Sequence, residues 1–470
     1  VRADRSLPLP AARRAPGARP AVLPPGPGGP DETADTARTG PRAAGPSPGR
    51  LWGCWLLTRA LLAAVVLTGQ MVGTQQNVQG DLDIYAGWAR GLAHGGGLPV
   101  GDDRWQYPPG AAVAFVLPEL AHTLLAVPYR AAFVVLALLA DAAVTIALAR
   151  RDRAAALFWV VGITALGPVV LARFDLLPAA AALGALLAVM SGRAGRTGFG
   201  IGVGALLKVW PVLLLVALPR PGARVAARLA GGLVTAVAGL AAVVVAAGWW
   251  RDVLGFVGAQ RARGLQAEAV AATPFVLAHM VGGPAPRYSY GSLQFDSPLA
   301  RGVATGCSLV EVVVIVAAAV WWWLRASRGT LGVTGAAGSA SGAGGPGAPP
   351  GLVAERSLAL VIVVVVTARV LSPQYLVWLL ALAAAALATG SRSPGWWRSR
   401  LSGALLAVAL LSQIVYPWRY NDVIQGRVVL CLVLVLRNLG LLMVCWWAVR
   451  AAAAPRPGPP PRPRPPAPAS

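Results

Sequence analysis

Apolar residues along this chain neither alternate nor recur once per helical turn; they come in continuous blocks separated by short polar stretches. The blocks run about 17–25 residues, the length a helix needs to cross the hydrocarbon core of a bilayer. The pattern predicts an all-α polytopic membrane protein with about 11–12 membrane helices. Composition agrees, since 56% of the 470 residues are hydrophobic and the mean hydropathy is +0.62, values foreign to a single soluble domain of this length.

Arginine placement sets the expected topology, because basic loops stay on the cytoplasmic side. Residues 1–50, rich in Pro, Ala, Gly and Arg, read as a disordered cytoplasmic tail. Leu51 to Val72 is the first span, too long and too far along the chain for a signal peptide. It delivers the loop Thr74 to Pro109 to the outer face. Gly110 to Val127, interrupted by Pro118, Glu119 and His122, suits a helix lying in the interface. Tyr129 to Ala149, Ala154 to Ala172 and Leu176 to Met190 then cross in turn.

Phe199 to Leu218 as one span would place Arg220, Arg224 and Arg228 outside, whereas a broken re-entrant pair turning at Lys208 to Pro211 keeps them inside. Later spans are Leu229 to Gly248, Gly302 to Leu324, Glu355 to Leu371, Gln374 to Ala388, Leu401 to Tyr416 and Val428 to Val449. A second outer loop covers Trp249 to Arg301, a flexible linker covers residues 327–351, and residues 451–470 form a second Pro/Arg-rich cytoplasmic tail. The membrane domain thus spans residues 51–450, with both termini inside and the cell membrane as its location.

A net charge of +23 raises the possibility of a nucleic-acid partner. The arginines, however, sit at helix ends and in the tails, where they orient loops, so no nucleic acid is expected. The four cysteines, Cys54, Cys307, Cys431 and Cys445, fall in or at the ends of apolar blocks without CxxC or His-rich spacing and read as small hydrophobes. No metal site is indicated, although a divalent cation is compatible with the aspartates of the first outer loop.

That loop carries the richest polar cluster of the chain. Asp81-Leu-Asp-Ile-Tyr85 places carboxylates beside aromatics just outside the membrane, where one could act as a general base toward a sugar hydroxyl or could simply cap an interfacial helix. Trp105-Gln-Tyr-Pro-Pro-Gly110 closes the loop as an extended turn, with Trp and Tyr suited to the headgroup layer. Lys208, the only lysine in the chain, lies inside an apolar block at the helix break. An unpaired ammonium there would be costly, which marks it as a functional candidate facing a cavity. Asp141, Glu311 and Arg437 are further ionisable residues inside spans, with structural and functional readings both open.

DLDIY, WQYPPG, Arg173-Phe-Asp175 with Pro178, Leu207-Lys-Val-Trp-Pro211, Arg263-Gly-Leu-Gln266 and Ser372-Pro-Gln-Tyr375 with Trp378 occur in this order between Gly80 and Trp378. Together they resemble the family 87 glycosyltransferases, polytopic GT-C enzymes similar to polyprenol-phosphate-mannose-dependent alpha-mannosyltransferases of the cell envelope. The resemblance implies that Asp81, followed four residues later by Tyr85, is the catalytic base. Asp83 would be a neighbour that raises the base's pKa or orients the acceptor.

It also implies a polyprenyl-phosphate sugar donor; the expected reaction takes a glycan or glycolipid acceptor and inverts the anomeric carbon, and no cofactor is expected. The departing lipid phosphate calls for cations, for which Arg173, Lys208, Arg261, Arg263, His279 and Arg369 are candidates. Arg173 could instead pair with Asp175, Arg261 and Arg263 could form a solvated loop face, and Arg369 could snorkel. Tyr85, Trp88, Tyr107, Asp175, Gln266, Gln374 and Tyr375 are the candidate substrate contacts. A transporter or flippase of an amphiphilic solute is the alternative, with a partner-recruiting scaffold behind it; no internal repeat of the transporter kind is visible.

Overall fold

The computed structural model of the protein describes residues 45–69, 75, 78–327, 350–389 and 395–453. The expected tails and the linker 327–351 lie mostly outside these residues. Among those described, six helices are long and apolar enough to cross a membrane by length and composition: α1 (Pro48–Thr68), α4 (Tyr129–Ala149), α9 (Ala223–Ala246), α12 (Pro298–Ser327), α15 (Gly395–Gln413) with the turn that follows it, and α17 (Val428–Ala453). Between α1 and α12 the chain forms α2 (Gly80–Ala93), α3 (Gly110–Leu125), α5 (Arg153–Leu166), α6 (Leu176–Met190), α7 (Ala194–Leu207), α8 (Leu214–Ala217), α10 (Gly255–Ala262) and α11 (Thr273–Met280). Then come α13 (Pro350–Thr367), α14 (Leu376–Ala388) and, between α15 and α17, α16 (Tyr420–Ile424). The protein is an all-α polytopic membrane protein.

Local chemistry fixes the helix ends. Ser47 Oγ accepts from the Arg50 amide at the start of α1, Pro48 occupies the first turn, and Gly69 closes the helix in the left-handed region at φ 67°. α1 turns Leu56, Leu57 and Leu61 outward, as a lipid-facing surface requires. Its inward side carries Arg59, which is joined to Asp141 of α4 at 2.8 Å. Asp141 accepts two bonds from Arg59 and one each from the indoles of Trp55 and Trp159, while Arg59 also donates to the Val160 carbonyl and Thr164. A charged pair so fully coordinated ties α1, α4 and α5 together, which gives Asp141 a structural role.

α7 and α9 pack through small residues. A Cβ at Gly198 would collide with the Leu229 carbonyl oxygen, and one at Gly232 with the Gly195 carbonyl oxygen, so glycine is what lets the two backbones meet. α7 starts at Ala194, earlier than the expected Phe199, because the glycine-bearing turn that holds Gly195 and Gly198 must be helical to pack on α9. The expected break is present: Lys208 is extended at φ −156°, ψ 131°, a 3-10 turn covers Trp210–Leu213, and α8 resumes.

The segment expected as the second outer loop, Trp249 to Arg301, contains secondary structure of its own. Besides α10 and α11 it holds a small antiparallel sheet of β1 (Leu265–Gln266), β2 (Arg287–Ser289) and β3 (Ser292–Phe295) in the order β1-β3-β2. Ser289 pairs with Ser292 across a two-residue turn in which Tyr290 and Gly291 have φ 48° and 70°. Positive φ at both central positions matches the right-handed twist of the strands they join.

Candidate functional site

Asp81 lies in the first turn of α2, where a carboxylate is favoured by the helix dipole. Residues 81, 85 and 88 recur at helical spacing, so Asp81, Tyr85 and Trp88 share one face and line one pocket. Residues two apart on a helix point to opposite sides, and Asp83 accordingly leaves this face. It is 54% exposed and takes a forked bond from Arg130 at 2.7 and 2.8 Å. The expected neighbour of Asp81 is therefore not Asp83; the second carboxylate that bears on it electrostatically is Asp175.

Behind α2 the WQYPPG segment builds the floor. Trp105 is buried and packs edge-on against Trp88 at 5.2 Å, so it belongs to the core rather than to the headgroup layer. Tyr85 stacks on Phe115 at 4.2 Å, and Tyr107 meets Phe174 edge-on at 5.0 Å. The Trp88 indole donates to Asp102, which Arg104 also grips at 2.6 Å. The hydrogen bonds from Arg104 hold the Asp102 carboxyl down to about 2.

The turn between α5 and α6 carries Arg173 and Asp175, and the pairing is crossed. Arg173 forms an ion pair with Asp81, not with Asp175. Asp175 instead accepts from Lys208 Nζ at 2.7 Å and from the Trp378 indole at 2.9 Å. The ammonium also sits over the rings of Tyr375 and Trp378, 4.7 and 4.9 Å from their centroids. The helix break at Lys208 thus lets the lysine reach across to α6 and α14 and pair. Burial raises the Asp81 pKa above its ordinary value, against the opposing pull of the Arg173 guanidinium.

Other expected site residues divide. Arg263, Gln374 and Tyr375 line the same pocket, and Arg263 donates to Ser292 Oγ at 3.1 Å while its buried Nε has no partner among the described residues. Gln266 is buried away from it, accepting from the Leu371 amide and so fastening β1 to the chain before α14. Arg261 is exposed and outside the pocket wall. His279 bonds the Ile424 carbonyl at 2.8 Å, which places it against α16 rather than in the pocket. Arg369 donates to the carbonyls of Gln260, Arg261 and Arg263 and lies in a neighbouring groove. Arg437 is held by the backbone and carboxylate of Glu268.

The pocket is a narrow polar space of ≈ 70 Å³. It shares Gln106, Lys208, Gln260 and Tyr375 with the groove, an apolar space of ≈ 600 Å³ walled by residues of α10, α12 and α13 and by the Lys208 break, with Glu311 and Arg369 as charged residues besides Lys208. Arg104, Gln260, Tyr288 and Tyr290 also line the pocket and were not legible as site residues. Of these only Arg104 had a signal, its position beside WQYPPG. Among the described residues, no three His, Cys, Asp or Glu side chains converge in a way that could hold a metal ion.

No curated protein matches the chain. The profile of Glycosyltransferase family 87 matches residues 105–343, just over half of it, taking in Tyr107, Arg173, Asp175, Lys208 and Arg263 while leaving Asp81 and the Ser372 segment outside. A charged pocket opening on an apolar groove between membrane helices thus belongs to a chain that half its length identifies: this protein is a member of glycosyltransferase family 87, a membrane glycosyltransferase.

Proposed function

We propose that the enzyme transfers a hexose, mannose in the first instance, from a polyprenyl phosphate to an acceptor hydroxyl on the extracytoplasmic face of the cell membrane, inverting the anomeric carbon. The observation that carries this reading is the shared wall between the two cavities. Lys208 stands where a polar pocket meets a groove able to take an isoprenoid chain, so a lipid phosphate headgroup would meet the cation as its tail enters the groove. A soluble nucleotide-sugar donor would leave the apolar groove without a purpose.

Asp81 then acts as the base. It accepts the acceptor's proton as the hydroxyl oxygen bonds to the anomeric carbon, and the bond from that carbon to the phosphate oxygen breaks with its electron pair going to the phosphate. Arg173 and Lys208 stabilise the charge that gathers there. Both cations are paired, Arg173 with Asp81 and Lys208 with Asp175. An arriving phosphate competes for Arg173, which loosens its hold on Asp81 and leaves that carboxylate a better base.

The test is a purified enzyme offered polyprenyl-phosphate mannose, polyprenyl-phosphate glucose and a nucleotide hexose, with the anomeric configuration of the product read by NMR. Transfer from a lipid-linked donor with inversion is expected. Transfer from the nucleotide hexose alone, or retention of configuration, overturns the reading.

A further inference from the structure

The wall of the pocket is not uniform. Lys208, Gln106, Gln260 and Tyr375 are shared with the apolar groove, which assigns them to the lipid-linked donor. The tip of the β2–β3 hairpin lines the pocket but not the groove, through Tyr288, Tyr290 and Gly291, with Arg104 against Gly291.

Tyr288 is 69% exposed although it lines the pocket that holds Asp81. A large aromatic ring left uncovered beside a carboxylate and a guanidinium offers an apolar face and polar partners together, the chemistry that a pyranose with its C–H face and rim of hydroxyls requires. The tip is also held before any ligand arrives. Gln106 donates to the Tyr290 carbonyl at 3.0 Å, Gln294 donates to the Ser289 carbonyl at 2.9 Å, and Arg263 donates to Ser292 Oγ at 3.1 Å. A preordered surface loses little entropy on binding.

We propose that the β2–β3 hairpin is the acceptor subsite of this enzyme, with the Tyr288 ring as the platform on which a pyranose of the acceptor glycan stacks while its hydroxyl faces Asp81. The assignment rests on the reading of Asp81 as the base and of the groove as the donor's place. It names the acceptor as a saccharide at the reacting end, not a polypeptide or a simple alcohol. Side chains alternate along a strand, and Arg287, next to Tyr288, lines a separate cleft with Phe275 and Phe295. The strand therefore carries its own control.

The test uses polyprenyl-phosphate mannose as donor and octyl α-mannoside as acceptor probe, with the full-length enzyme in detergent. Tyr288→Ala should raise the KM for octyl α-mannoside about tenfold, the size of one good aromatic contact, with a much smaller change in the KM for the donor. Tyr288→Phe keeps the ring and Arg287→Ala changes only the opposite face, so each should stay within about twofold of the wild type.

An unchanged acceptor KM in Tyr288→Ala overturns the proposal, as does an equal rise in Arg287→Ala or a failure of the wild type to use octyl α-mannoside while it still hydrolyses the donor. A wild type that neither hydrolyses nor transfers from the lipid-linked donor instead removes the donor reading on which the proposal stands.

Discussion

Two sets of ion pairs among the helices differ in how completely each charge is used. Asp141 receives four hydrogen bonds, from Arg59, Trp55 and Trp159, and the Arg59 and Asp141 side chains are 2% and 0% exposed. Arg173 and Asp81, paired with each other, by contrast remain 16% and 21% exposed, and Lys208, paired with the buried Asp175, is 14% exposed and lines both the pocket and the groove. The first set has no valence left for a ligand. The second is held in pairs that a phosphate and a hydroxyl could exchange. An ionisable residue within a membrane domain is thus not functional by burial alone; accessible, exchangeable coordination is what separates a site from a clamp.

The largest effect that separates them is on chemistry. Asp81→Asn removes the base and should lower transfer about 10²- to 10⁴-fold in steady-state assays, with the unfolding midpoint little changed. Full activity in a folded Asp81→Asn protein would contradict the proposed mechanism. Asp141→Asn is the mirror case: it leaves the Arg59 charge buried without its counterion and should cost about 3–5 kcal/mol of stability, seen as earlier unfolding in detergent. Transfer per folded molecule should survive it. Should Asp141→Asn instead abolish activity without destabilising the protein, the distinction between clamp and site would collapse.

Lys208→Met comes next. It removes one of the two cations proposed for the departing phosphate and should lower kcat by about 10²- to 10³-fold. It also leaves the buried Asp175 carboxylate with its bond from Trp378 but without its counterion, so stability should fall as well, by an amount comparable to Asp141→Asn. A change confined to the acceptor KM would show that the ammonium does not face the donor.

Much of the fold is legible in the sequence because bilayer thickness imposes block lengths. Tyr129–Ala149 and Leu176–Met190 have the bounds read from apolar runs, and the break at Lys208 follows from a lysine next to a Trp-Pro step in such a run. The sheet was not legible, since strands of two to four residues carry too little alternation to distinguish them from loop. Nor was the crossed pairing of Arg173 and Lys208. Arg173 and Asp175 are near neighbours in sequence, and only the turn before α6 decides which of them meets α2 and which meets the broken helix.

The same geometry decides between the two aspartates of DLDIY, which composition treats as equals. In a loop both could reach the acceptor, but on α2 the helical phase sends Asp81 into the pocket and Asp83 to Arg130. An exposed pair of this kind is worth about 0–1 kcal/mol, so Asp83→Asn should change both stability and transfer by less than about fivefold in equilibrium or rate.

The pH profile sharpens the contrast. The base must be ionised, so activity falls as pH drops through the Asp81 pKa, and burial places that acid limb above the ordinary aspartate range. Asp83→Asn should leave the limb where it is. Arg173→Met removes the cation that opposes the effect of burial, and should move the limb to still higher pH in the activity that remains. A limb that follows Asp83 instead would transfer the role of base to the wrong face of the helix.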